Sequence, residues 1–171
     1  MVHYKARPTS RRELANIAHK LRRLLCVEQD LYFPIIEFIE LVLPKIDKEF
    51  DLEIVESSEL PPNTYALTYP DDKIIKIRSD VYYGACANQG RARFTIAHEL
   101  CHYLLHDEEN ISFARSKSDI PKYMDPEWQA NTFAAELLAP GYLIKGMNVE
   151  DITKNCSISY QCAHIQENTY R

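Results

Sequence analysis

The 171-residue sequence has no apolar run approaching the roughly 20 residues that a membrane-spanning helix needs. Its longest apolar stretch, Ile35 to Leu43, is broken by Glu37 and Glu40. The first residues lack the apolar core of a secretory signal. Lys5, Arg7, Arg11 and Arg12 lead instead into a charged amphipathic segment, so a cytoplasmic location with no membrane contact is expected. The five cysteines (Cys26, Cys86, Cys101, Cys156, Cys162) are odd in number and form no C-x-x-C pair. Neither a disulfide framework nor a thiolate zinc cage is expected, and reduced thiols packed as small apolar groups are. No P-loop, dinucleotide fingerprint, nucleophilic triad, internal repeat, low-complexity segment or linker is visible.

What is present fits one globular domain over residues 1–171, with 46% apolar and 26% charged residues. The net charge of −5 is unevenly spread. Residues 1–23 hold seven Lys/Arg against the single acid Glu13, and that net +6 leaves about −11 on the rest. A basic first helix can meet nucleic acid or an acidic partner. A mildly acidic whole is nevertheless a poor nucleic-acid footprint, so a solvated helix face is the expectation.

Ser10-Arg11-Arg12-Glu13 reads as a capping box, followed by Leu14, Ile17, Ala18, Leu21 and Leu25 at helical spacing. A second helix is expected to open at Pro34 and turn Ile36, Ile39 and Val42 or Leu43 inward. The period then changes to two. Leu52 and Ile54 alternate with acids, as do Tyr65, Leu67 and Tyr69 with small or polar residues, and Ile75 and Ile77 continue the pattern. With a turn at Pro70-Asp71-Asp72, this predicts an antiparallel hairpin or three-stranded sheet. Asp80 is expected to cap a short helix ending before Gly90. Helices are predicted from Arg91 to about Asp107, from Pro126 to Ala139, and from Ser157 to about Tyr170, with a polar loop over roughly Glu108 to Met124.

The second helix expected after the sheet, Arg91 to Asp107, carries His98-Glu99-Leu100-Cys101-His102, an H-E-x-x-H pattern in an apolar helical context. Histidines at i and i+4 lie about 40° apart around a helix and one turn along it, so both imidazoles can reach one tetrahedral Zn²⁺. Glu99 sits between them in angle, too constrained to be a third ligand. It is placed to take a proton from water that zinc acidifies to a pKa near 7 and to pass it to the leaving amine. Two histidines and an acid on a mostly buried helix are costly unless something pairs with them.

A third ligand is expected on the helix that Asp125 and Pro126 begin. A histidine six residues after the second would be one source, but that position is Glu108, with Leu105 where a glycine turn would be needed. His106 lies one turn beyond His102, a neighbour or supporting group rather than a ligand. Glu127, Ala130, Asn131 and Ala134 share one face, and the small residues let this helix approach the histidines closely. Glu127 is therefore the expected ligand and Asn131 a supporting hydrogen-bonding group. Glu136, nine residues on, points about 180° away. His164 reads as a surface or packing residue. Tyr103, Tyr123 and Tyr142 are near in sequence to the site, but the oxyanion-stabilising role stays unassigned. The ligand set would also accept Mn²⁺ or Fe²⁺.

The run from Arg93 to His106, with Glu127-x-x-Ala130-Asn131-x-Phe133-Ala134-Ala135-Glu136-Leu137-Leu138-x-Pro140, resembles the ImmA/IrrE family of zinc metallopeptidases. Further likeness lies near Ala18 to Leu24 and at Phe33-Pro34, Ile75 to Arg78 and Tyr83-Gly84-Ala85. The resemblance implies a gluzincin-like site with one Zn²⁺ per chain. His98, His102 and Glu127 would be ligands, and Glu99 the catalytic base or acid. It implies an α+β, mostly helical, zincin-like fold with a small antiparallel or mixed sheet of about three strands beside the H-E-x-x-H helix. It also implies an endopeptidase whose substrate is a separate helix-turn-helix repressor or antitoxin-like regulator. A metal-stabilised module that grips such a partner without hydrolysing it is the alternative. Cys101 stands where the family usually has Gly, and Ala139 where Met is common. Cys101 lies about 60° from His98 and reads as a packed thiol.

Overall fold

The computed structural model describes residues 3–114 and 120–171, and side chains over 4–112 and 120–171. The capping box is present: the Ser10 side chain accepts from the Glu13 amide while the Ser10 N–H donates to Glu13 Oε2 at 2.7 Å. Helix α1 (Arg11–Leu24) follows, burying Leu14 and Ala18. The fully buried Arg22 lies on the same side and donates to the main-chain carbonyls of Leu137, Val27 and Asp30.

The second helical segment opens at Ile35 with Pro34 as its N-cap, one residue later than expected, and it is not regular. Short helices α2 (Ile35–Glu37) and α3 (Leu43–Ile46) flank a π-turn over Phe38–Val42. Pro44 explains it. Its ring would clash with the Glu40 carbonyl in a continuous α-helix and it offers no N–H, so the chain widens by one residue. That extra residue turns the inward set to Ile35, Phe38, Ile39 and Leu43, leaving Ile36 and Val42 only partly buried.

Strands β2 (Asp51–Val55), β3 (Ala66–Tyr69) and β4 (Ile74–Arg78) form a mixed sheet in the order β2-β4-β3. β3 and β4 make the expected hairpin about Pro70-Asp71-Asp72, with Thr68 opposite Ile75. β2 joins the other side of β4 in parallel, pairing Leu52 with Ile75 and Ile54 with Ile77. Ile75 and Ile77 are fully buried on the face that meets the helices. Among the described residues a second, two-stranded antiparallel sheet pairs β1 (His3–Ala6) with β5 (Ile111–Ala114). β5 lies inside the expected polar loop, of which residues 115–119 fall outside the described residues.

Helix α4 (Ser79–Cys86) is capped by Arg78 rather than Asp80, which sits in its first turn and forms an ion pair with Arg78 at 2.5 Å. Helix α5 (Gly90–Leu105) carries the H-E-x-x-H residues. It opens where the chain around Ile158 passes so close that a Cβ on Gly90 would lie 2.4 Å from a backbone carbon. Helix α6 (Pro126–Leu138) is capped by Asp125, which accepts from the Glu127 amide at 3.0 Å. Buried nearly all round, α6 packs between α1 and α5, the pattern expected of a central helix. α5 and α6 run antiparallel, since His98 meets Asn131 while His102 meets Glu127. The chain ends in α7 (Gly141–Ile144), α8 (Val149–Cys156) and α9 (Tyr160–Tyr170). The last begins after Ser159, later than expected, and α7 and α8 had no sequence expectation.

Candidate metal centre

His98 and His102 project from successive turns of α5, and Glu127 faces them from the first turn of α6. Their ligand atoms all lie within 4.8 Å of one another, and the three residues could hold a metal ion. Glu127 Oε2 is 3.4 Å from His98 Nε2, Glu127 Oε1 is 3.4 Å from His102 Nε2, and the two Nε2 atoms are 3.0 Å apart. Donors about 2.0–2.1 Å from one tetrahedral ion stand roughly 3.3–3.4 Å from each other, so the spacing fits a single small divalent cation. Glu127 is held below the usual carboxylate range by hydrogen bonds to His102 and His98. Burial works to lower the His98 pKa, but Glu127 and the neighbouring Glu99 outweigh it, and the net direction is upward. A cation replacing that proton would relieve the same concentration of charge.

The outer nitrogens decide which ring atoms face the cradle. Gln129 Nε2 donates to two main-chain carbonyls, Arg7 O and Tyr123 O, each at 2.8 Å. That leaves Gln129 Oε1 as an acceptor for His106 Nε2, also at 2.8 Å. Burial lowers the His106 pKa to about 4, so the ring is neutral near pH 7 and its Nδ1 is a bare acceptor. His102 Nδ1, 2.8 Å away, must then donate, and a neutral His102 presents an unprotonated Nε2 to the cradle. His98 Nδ1 meets Asn131 Oδ1 at 3.1 Å, which orients the second ring in the same sense. Asn131 thus takes the supporting position expected for it. His106 stands one step behind the candidate ligand His102 and outside the group that could hold an ion.

Glu99 stands beside the cradle without joining it. Its Oε2 accepts from the Thr68 hydroxyl at 2.7 Å, and the same hydroxyl lies 3.1 Å from the Glu99 carbonyl. Thr68 and Gln129 had no sequence expectation. Thr68 alternates with Leu67 and Tyr69, which marks its side of β3 but not which helix that side faces.

Residues 47–160 match the family model described as the IrrE N-terminal-like domain, peptidase family M78. The chain belongs to this family. The IrrE-like assignment agrees with the resemblance drawn from the H-E-x-x-H and Glu127 helices, and it identifies the chain with a family of peptidase type. A curated relative, the "Uncharacterized immunity region protein 2" of Bacillus phage phi105, is 31% identical over 87 residues. That match takes in 47% of this chain and 53% of the relative, so the IrrE-like chain spans about half the relative's length.

The remaining polar candidates are engaged elsewhere. Glu136 is buried on the far side of α6 and accepts from Arg11 at 2.6 Å and from the Tyr170 hydroxyl at 2.5 Å. Arg11, one of the basic residues of the first helix, is thereby committed within the chain. Cys101 is fully buried, and burial pushes its thiol well above the usual range. Tyr103 donates to Asp47, and Tyr142 donates to the Glu28 carbonyl. His164 is exposed and stacks on Tyr160.

Proposed function

We propose that this chain is a zinc-dependent endopeptidase in which His98, His102 and Glu127 hold the metal and Glu99 is the catalytic base. The convergence of two imidazole nitrogens and one carboxylate, with a second carboxylate alongside, carries the reading. When bound there, zinc supplies Lewis acidity toward the scissile carbonyl and acidifies water. Asn131 and His106 orient the two imidazoles, so the cradle needs little rearrangement on binding. Thr68 holds one oxygen of Glu99, which steadies the carboxylate while its other oxygen takes a proton and later returns it to the leaving nitrogen. No described strand pairs with the other edge of β3, so an extended peptide can add to that edge beside Glu99.

The substrate in this reading is a separate helix-turn-helix repressor or antitoxin-like regulator, the class that the ImmA/IrrE resemblance implies. The name of the phage relative places that protein in an immunity region, which fits such a setting. The proposed site works in the cytoplasm, within a single domain and without contact to nucleic acid or membrane. Glu99→Gln is the decisive test. It is expected to retain about one zinc per chain and to lose cleavage by roughly 10²–10⁴-fold. Undiminished cleavage would remove Glu99 from the mechanism, and native protein that binds no divalent metal would remove the site.

A further inference from the structure

A cavity of about 590 Å³ opens beside the metal cradle, between α5, α6 and α9. Its volume falls within the usual range for ligand pockets. The floor is apolar, built from Phe94, Trp128, Ala135, Cys162 and Ile165. Asn131 belongs to both places: it lines the cavity and contacts the His98 ring. The cavity therefore continues the face that bears the candidate ligands. Phe94 stands four residues before His98, about 6 Å along the helix axis, and Arg91 stands seven before it, about 10 Å away.

The rim differs in charge from the rest of the protein. In a chain of net charge −5, the lining includes Arg11, Arg91 and Lys122 and no Asp or Glu. Arg11 is bound to Glu136. Lys122 lies over the Trp128 ring at 5.8 Å, and Arg91 forms no ion pair among the described residues. Two exposed cations thus flank an apolar floor without an internal carboxylate to answer them. An extended peptide advances about 3.3 Å per residue, so Phe94 lies about two residues from the cradle and Arg91 about three.

We propose that this cavity is the subsite that selects the substrate. It takes a large apolar or aromatic side chain within two residues of the scissile bond, and Arg91 with Lys122 takes an Asp or Glu about three residues from that bond on the same side. The inference rests on the reading of His98, Glu99, His102 and Glu127 as a peptidase centre.

The test uses the zinc-loaded full chain carrying Glu99→Gln, so that peptides are held rather than cut, and a library of fluorescent decapeptides read by anisotropy. Binders are expected to combine an aromatic or Leu/Met residue with an acid one or two positions further from the scissile bond. Arg91→Glu with Lys122→Glu is expected to weaken those peptides at least tenfold and to favour basic ones. Ala135→Leu, which narrows the floor, is expected to shift the choice from aromatic to smaller side chains while keeping the acid. Binding indifferent to acid and aromatic residues, or unchanged by the charge reversal, would overturn the subsite. Parallel digests with Glu99 intact separate the two ideas. Selective binding with no cleavage retains the subsite and removes the peptidase reading, whereas cleavage that ignores charge and side-chain size does the reverse.

Discussion

The Nδ1 of His102 lies 2.8 Å from the Nδ1 of His106, one helical turn further on, and the opposite nitrogen of His106 lies 2.8 Å from Gln129 Oε1. The proton arrangement at the cradle is thereby set by an amide that never approaches it. Gln129→Leu breaks the chain at its anchored end while leaving all three candidate ligands in place. Zinc affinity, measured by competition with a chromophoric chelator, is expected to fall roughly 10–100-fold. Gln129→Glu, which keeps an acceptor for His106, is expected to recover part of that loss. A Leu variant with wild-type affinity would show that His102 needs no partner behind it.

Acid is expected to act on the metal-free protein through His106. Burial holds this imidazole at a pKa of about 4, whereas an unfolded histidine titrates near 6.5. Between those values the unfolded chain binds a proton that the folded chain refuses, so stability rises with pH and is lost on acidification. From pH 6.5 to 4.5 the loss is roughly 2–3 kcal/mol. His98 has the opposite sign. Its raised pKa contributes stability that is complete below about 6.5 and is lost only as pH rises through the folded value, so it does not mask the effect. Urea unfolding across this window, compared with His106→Leu, measures the difference. An unchanged slope in the variant would assign the acid sensitivity elsewhere.

Thr68→Val removes the hydroxyl that holds Glu99 and keeps the shape of the side chain. A hydrogen bond to a charged group contributes about 1.5–3 kcal/mol. If part of that orients the base, kcat is expected to fall about tenfold with KM and zinc content little changed. A change confined to KM would place Thr68 in substrate binding instead.

Arg93 is fully buried and donates to the Phe33 carbonyl at 2.8 Å, to the Tyr32 hydroxyl at 2.8 Å and to the Ser157 carbonyl at 3.1 Å. It ties α5 to the segment before α2 and to the turn between α8 and α9. Arg93→Met removes the guanidinium from the Ser157 carbonyl and from the Phe33 carbonyl, which keeps only the Ile35 amide at 2.9 Å, so a stability loss of about 2–5 kcal/mol is expected in chemical denaturation. A loss under about 0.5 kcal/mol would mean that water replaces the guanidinium.

The parts of this fold that were legible in the sequence are those with local causes. Ser10 with Glu13 and Asp125 with Pro126 begin their helices through contacts within three residues. His98 and His102 share a face because of helical geometry alone, and Glu127 was singled out by the small residues beside it. The missed features depend on distant partners. β5 is a strand because β1 pairs with it from more than 100 residues away, and nothing in its surroundings announces that. α8 ends at Ser157 with a left-handed φ of 50° and no glycine, so its boundary leaves little mark in the composition. Arg22 and Arg93 look like surface residues until the carbonyls that receive them are in place.

One of the two carbonyls that anchor Gln129 belongs to Arg7, immediately after β1, whereas the family match begins at residue 47. A fragment cut to the matched region would keep every proposed ligand and the base yet forfeit this brace, and with it the α1 surface that covers α6. Trimming the chain to its recognisable part is thus expected to yield a centre that is chemically intact but poorly held, so the grip on the ion depends partly on residues that the family signature leaves out.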